Sequence, residues 1–265
     1  MLPCFSITDY IYARLFLPEH PLPEYPACLD DERDVITQFC SDVYFQHNIQ
    51  SVCVHHPAPK RTIVYMHGNN EHISRSTDYL RYLSERCEAN VYASEYPGYS
   101  KHTGAPSEER CYDTCDKFVQ LVVQRAAPGP VVVLGYSMGC APAAHAASAS
   151  GVSGLVLVAP FVSAASVVLA RTERELGWSF LWAPVDVFRT PPLVRSLECP
   201  VLVVHGADDA LIACAHGRYL SGCAPNGIFE EVRGALHSNI LERGMDSIVQ
   251  WTSALEQPSE AARVA

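Results

Sequence analysis

Short apolar runs alternate with longer segments of helical spacing along most of the chain. Thr62–Met66, Val91–Glu95, Val131–Leu134, Gly154–Val158, Pro200–Val204 and Gly227–Val232 are short and bounded by glycine, proline or polar residues, and most are rich in valine and leucine. Such runs predict strands. The segments between them predict helices over about 74–87, 107–125, 138–150, 211–220 and 240–255. Ser107 is a predicted N-cap, with Glu108 and Glu109 at the positive end of its helix. Val43–Gln46 and Ser51–His55 predict a hairpin ahead of the alternation. Strand–helix alternation predicts an α/β fold: a mostly parallel sheet with helices on both faces and antiparallel strands at one edge.

Two regions depart from the pattern. Residues 1–32 carry prolines 18, 21, 23 and 26, which predict an extended N-terminal arm ahead of a domain over 33–265. Tyr10, Tyr12, Leu15, Phe16 and Leu17 in that arm have two readings, packing on the domain or contact with a membrane surface. Packing is favoured, because apolar arms usually dock on their own core. Residues 161–198 hold Trp178, Phe180, Trp182 and Phe188, a charged run from Arg171 to Glu175, and Pro191-Pro192. This stretch predicts a small cap insertion over the carboxyl ends of the strands, where open α/β sheets bind ligands.

Composition narrows the classes. The chain has 265 residues, 48% of them apolar, enough to bury a large core without disulfides or metal. Its 19 Lys and Arg against 29 Asp and Glu give a net charge of -10, which disfavours nucleic acid as a partner. Eleven cysteines, an odd number, and a start without a basic leader predict a reducing, cytoplasmic setting with thiols used as core residues. No stretch has the length of a membrane span, so peripheral contact is the membrane association left open.

The sharpest chemical signal is Gly135-Tyr136-Ser137-Met138-Gly139, between an apolar strand and an alanine-rich helix. That is the context of a nucleophile elbow, where a serine sits on a strained strand-to-helix turn. Such a serine needs a base and an acid, in the chain order serine, acid, histidine. Asp208 and Asp209 follow the strand at Pro200–Val204, and His237 follows the strand at Gly227–Val232. His216, within a predicted helix, is the weaker candidate for the base. Acyl chemistry also needs oxyanion donors. The N–H of Met138 is one, and that of Asn69, in His67-Gly68-Asn69-Asn70 after Thr62–Met66, is the second. His67 reads as an orienting residue rather than a base.

These residues carry a resemblance. Over about residues 42–255 the chain resembles the α/β-hydrolase superfamily, and within it the branch of intracellular protein depalmitoylases and serine-aminopeptidase-like hydrolases. The similar segments are His67-Gly68-Asn69, Glu95-Tyr96-Pro97-Gly98-Tyr99-Ser100, the elbow with Pro142, Cys199 to Ile212 with His205-Gly206-x-x-Asp209, His216-Gly217-x-x-Leu220, Cys223-Ala224-Pro225, and Gly234-x-x-His237-x-x-Ile240. The resemblance implies Asp209 as the acid. It implies a serine hydrolase of carboxylic esters or thioesters, acting on a small acyl substrate or an acylated protein, with no cofactor and no metal. The sequence departs from the family's pattern at Leu236, often glycine, and at Glu95, usually aspartate. Only Cys4 lies near the start, where depalmitoylases carry a cysteine cluster.

Three other readings stay open. One is a non-catalytic binding protein on the same fold. Another is a serine peptidase. The third is a metal or redox protein using His55-His56, Cys111-x-x-x-Cys115 and Cys214-x-His216, which the absence of paired zinc-type spacing disfavours.

Overall fold

Alternation within each apolar run determines how the sheet is covered. In the computed structural model Ile63 and Tyr65 enter one apolar cluster, while Val64 and Met66 enter another. Val132 and Leu134 side with the first, Val133 with the second; Leu202 and Val204 oppose Val201 and Val203 in the same way. Successive strand side chains point to opposite faces, so continuous apolar runs require a core on each side. The structure describes residues 34–39, 49–69, 71–73, 76–99, 106–127, 129–149, 151–167 and 186–255.

The described strands are β1 (Asp34–Phe39), β2 (Ile49–Val54), β3 (Arg61–Met66), β4 (Ala89–Ser94), β5 (Val131–Tyr136), β6 (Gly154–Val158), β7 (Val201–Gly206) and β8 (Gly227–Val232). They form one sheet in the order β1-β2-β4-β3-β5-β6-β7-β8. β1 and β2 run antiparallel at one edge, and β3 to β8 are parallel. The helices are α1 (Thr77–Cys87), α2 (Glu108–Arg125), α3 (Cys140–Ala146), α4 (Thr190–Arg195), α5 (Ala215–Cys223), α6 (Ile240–Arg243) and α7 (Met245–Ser253). Leu80 and Leu83 of α1 join Ile240, Met245 and Ile248 on one face; Phe118, Ala141, Val194 and Leu220 bring α2 to α5 onto the other.

Differences from the sequence pattern have local causes. Ser107 caps α2 as expected, its Oγ accepting the Arg110 N–H at 3.3 Å. α5 starts at Ala215 rather than near Leu211. The Asp209 carboxylate accepts the N–H groups of Leu211 and Ile212, both at 2.9 Å, and holds those residues in a turn. The final helix divides at Gly244, where a Cβ would lie 2.7 Å from Val204 Cγ1, so the chain presses against the sheet there. Pro191-Pro192 opens α4 instead of breaking structure, since proline suits the first helical turn. The described flanks of the 161–198 segment pack into the body: Phe188 and Val194 have no exposed surface. Its centre, with Trp178, Phe180 and Trp182, lies outside the described residues, as do the arm over 1–32 and the strand expected at Val43–Gln46. On its outer side β2 pairs antiparallel with Asp34–Phe39, and on its inner side with β4.

Candidate active site

The end of β5 is shaped by two glycines with no room for a side chain. A Cβ on Gly135 would lie 2.6 Å from the Gly139 carbonyl oxygen and 2.7 Å from Ala143 Cβ. A Cβ on Gly139 would collide with the Met66 carbonyl at the end of β3. The chain leaves β5 through a single 3₁₀ turn, Ser137–Gly139, that leads into α3. Ser137 has φ of 51°. A non-glycine residue there is strained, and tight packing around the two glycines holds it. The serine is 9% exposed, at the carboxyl end of the sheet.

Asp209 and His237 arrive from the loops after β7 and β8, beyond β6 in the sheet. His237 Nε2 lies 3.0 Å from Ser137 Oγ, and its Nδ1 lies 2.7 Å from Asp209 Oδ2. With Nδ1–H donating to the carboxylate, Nε2 is left to accept the serine hydroxyl. The other Asp209 oxygen takes the Leu211 and Ile212 amides. Burial opposes charge on Asp209, but hydrogen bonds from His205, His237 and Ile212 outweigh it and hold the carboxyl far below its ordinary range. Asp208 is exposed, whereas Asp209 is buried. His216 accepts the Val162 N–H at 3.3 Å instead, and burial lowers its affinity for a proton.

The sequence reading missed two supports. Tyr136, an unspecified position in the glycine–serine motif, donates its hydroxyl to the His237 carbonyl at 2.9 Å. His205 sits beyond Asp209, with Nε2 3.0 Å from the Ile212 carbonyl and 3.4 Å from Asp209 Oδ2. The acid and histidine loops are also laced by backbone, Asp208 N–H to the Ala235 carbonyl at 3.1 Å. The His205-Gly206 pair in the sequence was the available signal; Tyr136 offered none, because its partner is 101 positions away.

β3 pairs with β5, placing His67-Gly68-Asn69 beside the elbow. Asn69 Oδ1 accepts the Tyr99 hydroxyl at 2.8 Å, and the same hydroxyl is 4.0 Å from Met138 Sδ. Tyr96 and Tyr99 are wholly buried. Cys111 and Cys115 are buried too, and burial pushes both thiols upward. Among the described residues, no group of three or more His, Cys, Asp or Glu is arranged to hold a metal ion. Among them, too, no helix is long and apolar enough to cross a membrane.

Residues 57–187 match the family described as serine aminopeptidase, S33. The chain is 31% identical to the alpha/beta hydrolase domain-containing protein aho-3 of Caenorhabditis elegans over 206 residues, 77% of this chain and 60% of that protein. Its overall course matches a crystal structure of an alpha-beta hydrolase from Vibrio vulnificus, with a TM-score of 0.69 at 18% identity, covering 93% of this chain and 90% of that one. The chain belongs to the α/β-hydrolase superfamily. Within that superfamily it is also 26% identical to the mouse alpha/beta hydrolase domain-containing protein 17C over 187 residues, 69% of this chain and 56% of that protein. This chain thus spans 60% and 56% of the lengths of these two relatives.

Proposed function

We propose that this α/β-hydrolase-fold protein is a serine hydrolase that cleaves a carboxylic ester or thioester through an acyl-enzyme. The observation that carries the proposal is the relay in which one imidazole bridges Ser137 Oγ at 3.0 Å and Asp209 Oδ2 at 2.7 Å. His237 takes the Ser137 proton as Oγ attacks the carbonyl carbon. The charged imidazole is stabilised by Asp209, whose ionised state is secured by its four donors. The N–H groups of Asn69 and Met138 take up the charge on the tetrahedral oxygen. Collapse expels an alcohol or thiol, protonated by His237. Water, deprotonated by the same histidine, then attacks the acyl-enzyme and releases the acid and Ser137. Every proton moves between groups of this chain, substrate and water.

Leu211 and Leu236 support an acyl substrate. They are 38% and 47% exposed, beside the acid and next to the histidine, so the loops that bear the chemistry also present apolar surface. The resemblance to depalmitoylases extends the proposal to long acyl chains on lipids or on protein cysteines, reached by peripheral contact with a membrane. The match to serine aminopeptidases favours a second reading, cleavage at a peptide N-terminus.

Fluorophosphonate labelling of the wild type beside Ser137→Ala and His237→Ala tests the chemistry. Labelling should vanish in both variants, and turnover of an activated ester should fall at least about 10⁴-fold. Wild-type turnover by folded Ser137→Ala would overturn the assignment. p-Nitrophenyl esters, acyl thioesters and aminoacyl anilides, compared by kcat/KM, then separate the two substrate readings.

A further inference from the structure

Beneath the loop that bears Asn69 lies a set of buried polar groups that the acyl-transfer steps do not use. His67 and Glu95 have no exposed surface, and His67 Nε2 lies 3.3 Å from Glu95 Oε2. Nδ1 of the same ring lies 2.9 Å from the Gly68 carbonyl. Nδ1 thus has a carbonyl at hydrogen-bond distance, while Nε2 faces the buried carboxylate at ion-pair distance without hydrogen-bond alignment. Glu95 Oε1 accepts the Ile73 N–H at 3.0 Å, so the carboxylate also ties down the far end of the loop. The Tyr96 hydroxyl donates to the His67 carbonyl at 2.8 Å, and its ring lies 4.2 Å from the His67 ring. The Tyr99 hydroxyl, as above, touches the side chains of both Asn69 and Met138.

We infer that Glu95, Tyr96 and Tyr99, from the end of β4 and the turn after it, are positioning residues for the oxyanion site. Glu95 and Tyr96 hold His67, which begins the loop, and Tyr99 sets Asn69 against Met138. This rests on the serine-hydrolase reading above. Nothing here touches the substrate; the three residues act by placing two backbone N–H groups. Oxyanion donors stabilise the transition state only when aimed at the place the charge will occupy, and small misplacements cost rate rather than binding. Burial opposes a charge on His67, but Glu95 first, then Glu71 and the Gly68 carbonyl, raise its proton affinity above the ordinary histidine value. The groups facing that ring are thus two carboxylates, a carbonyl and the rings of Tyr96 and Tyr99.

The experiment is steady-state hydrolysis of a p-nitrophenyl ester by wild type, Ser137→Ala, Glu95→Gln and Tyr99→Phe, with an alkylboronate as an inhibitor that presents an oxygen to the oxyanion site. Tyr99→Phe removes one oxygen atom and keeps the ring, so it guards against a Glu95→Gln protein that fails to fold. The expected result is a kcat lower by about tenfold in Tyr99→Phe and about thirtyfold or more in Glu95→Gln, with KM within about twofold and boronate affinity falling in step with kcat. A kcat within twofold of wild type in folded Tyr99→Phe, or a rise in KM alone, would overturn the inference. Those results leave Ser137-dependent turnover intact, and so leave the hydrolase reading standing. Loss of the dependence on Ser137 would overturn both.

Discussion

Two histidines occupy matching places and do different work. His67 follows β3, His205 is the next-to-last residue of β7, each precedes a glycine, and neither has exposed surface. His67 Nδ1 lies 2.9 Å from the Gly68 carbonyl, and its Nε2 faces the Glu95 carboxylate at an ion-pair distance of 3.3 Å. His205 has acceptors at Nε2 alone; its Nδ1 is buried without a hydrogen-bond partner among the described residues, 2.6 Å from where a Gly217 Cβ would stand. One ring stands against a buried carboxylate, which raises its proton affinity. The other bonds through Nε2 to the Ile212 carbonyl at 3.0 Å and stands 3.4 Å from Asp209 Oδ2. The same dipeptide thus faces a buried carboxylate after β3 and is fastened by a hydrogen bond to the turn after Asp209 at the end of β7.

The comparison breaks most readily at Glu95. Glu95→Ala should destabilise the fold by about 3–5 kcal/mol, because it removes the buried carboxylate that faces His67 and accepts the Ile73 N–H. Urea unfolding measures this; a cost near zero would mean that His67 does not depend on its partner. The linked pH dependence is the next largest effect. The folded His67 value is raised above 6.5, so its contribution is complete below 6.5 and fades as pH rises beyond that. Glu95 is pulled down from 4.5 to about 2: burial acts to raise it, but His67, His72 and the Ile73 amide prevail. Its contribution is complete above 4.5 and fades as pH falls toward 2. The stability gap between wild type and Glu95→Gln should therefore be widest between pH 4.5 and 6.5 and shrink on both sides. A gap independent of pH would exclude the ion pair as its source.

Gly217→Ala tests the other histidine. The new methyl would press on His205 Nδ1, costing about 1–3 kcal/mol and lowering kcat by disturbing Asp209. Unchanged stability would show that the ring has space to yield. Gly222→Ala, on the same helix, meets nothing within 4 Å. It should raise stability by about 0.5 kcal/mol, and it serves as the control for helix propensity.

Much of this architecture was legible along the chain. Strand after strand appears as a short apolar run, because a strand covered on both faces needs apolar residues in succession. The elbow was legible for a related reason: a serine at positive φ between two crowded glycines is a local requirement, written into five adjacent residues. Elements that depend on distant partners were read less well. The start of α5 was misplaced because the carboxylate of Asp209 claims two amides that helical spacing assigns to the helix. The helix at Thr190–Arg195 was missed because its prolines mark a first turn as readily as a break.

The sequence by itself determined the strand and helix alternation, the place of the nucleophile turn and a short set of acids and histidines. Tertiary structure decided which of them meet. Asp209 rather than Asp208 faces inward, His237 rather than His216 reaches Ser137, and Tyr136 reaches across 101 positions to hold the histidine loop. The physical reason is that a hydrogen bond works over about 3 Å and depends on direction. The parallel course of β3, β5, β7 and β8 puts their carboxyl ends along one side of the sheet, and there residues separated by 28 and 100 positions stand within that range.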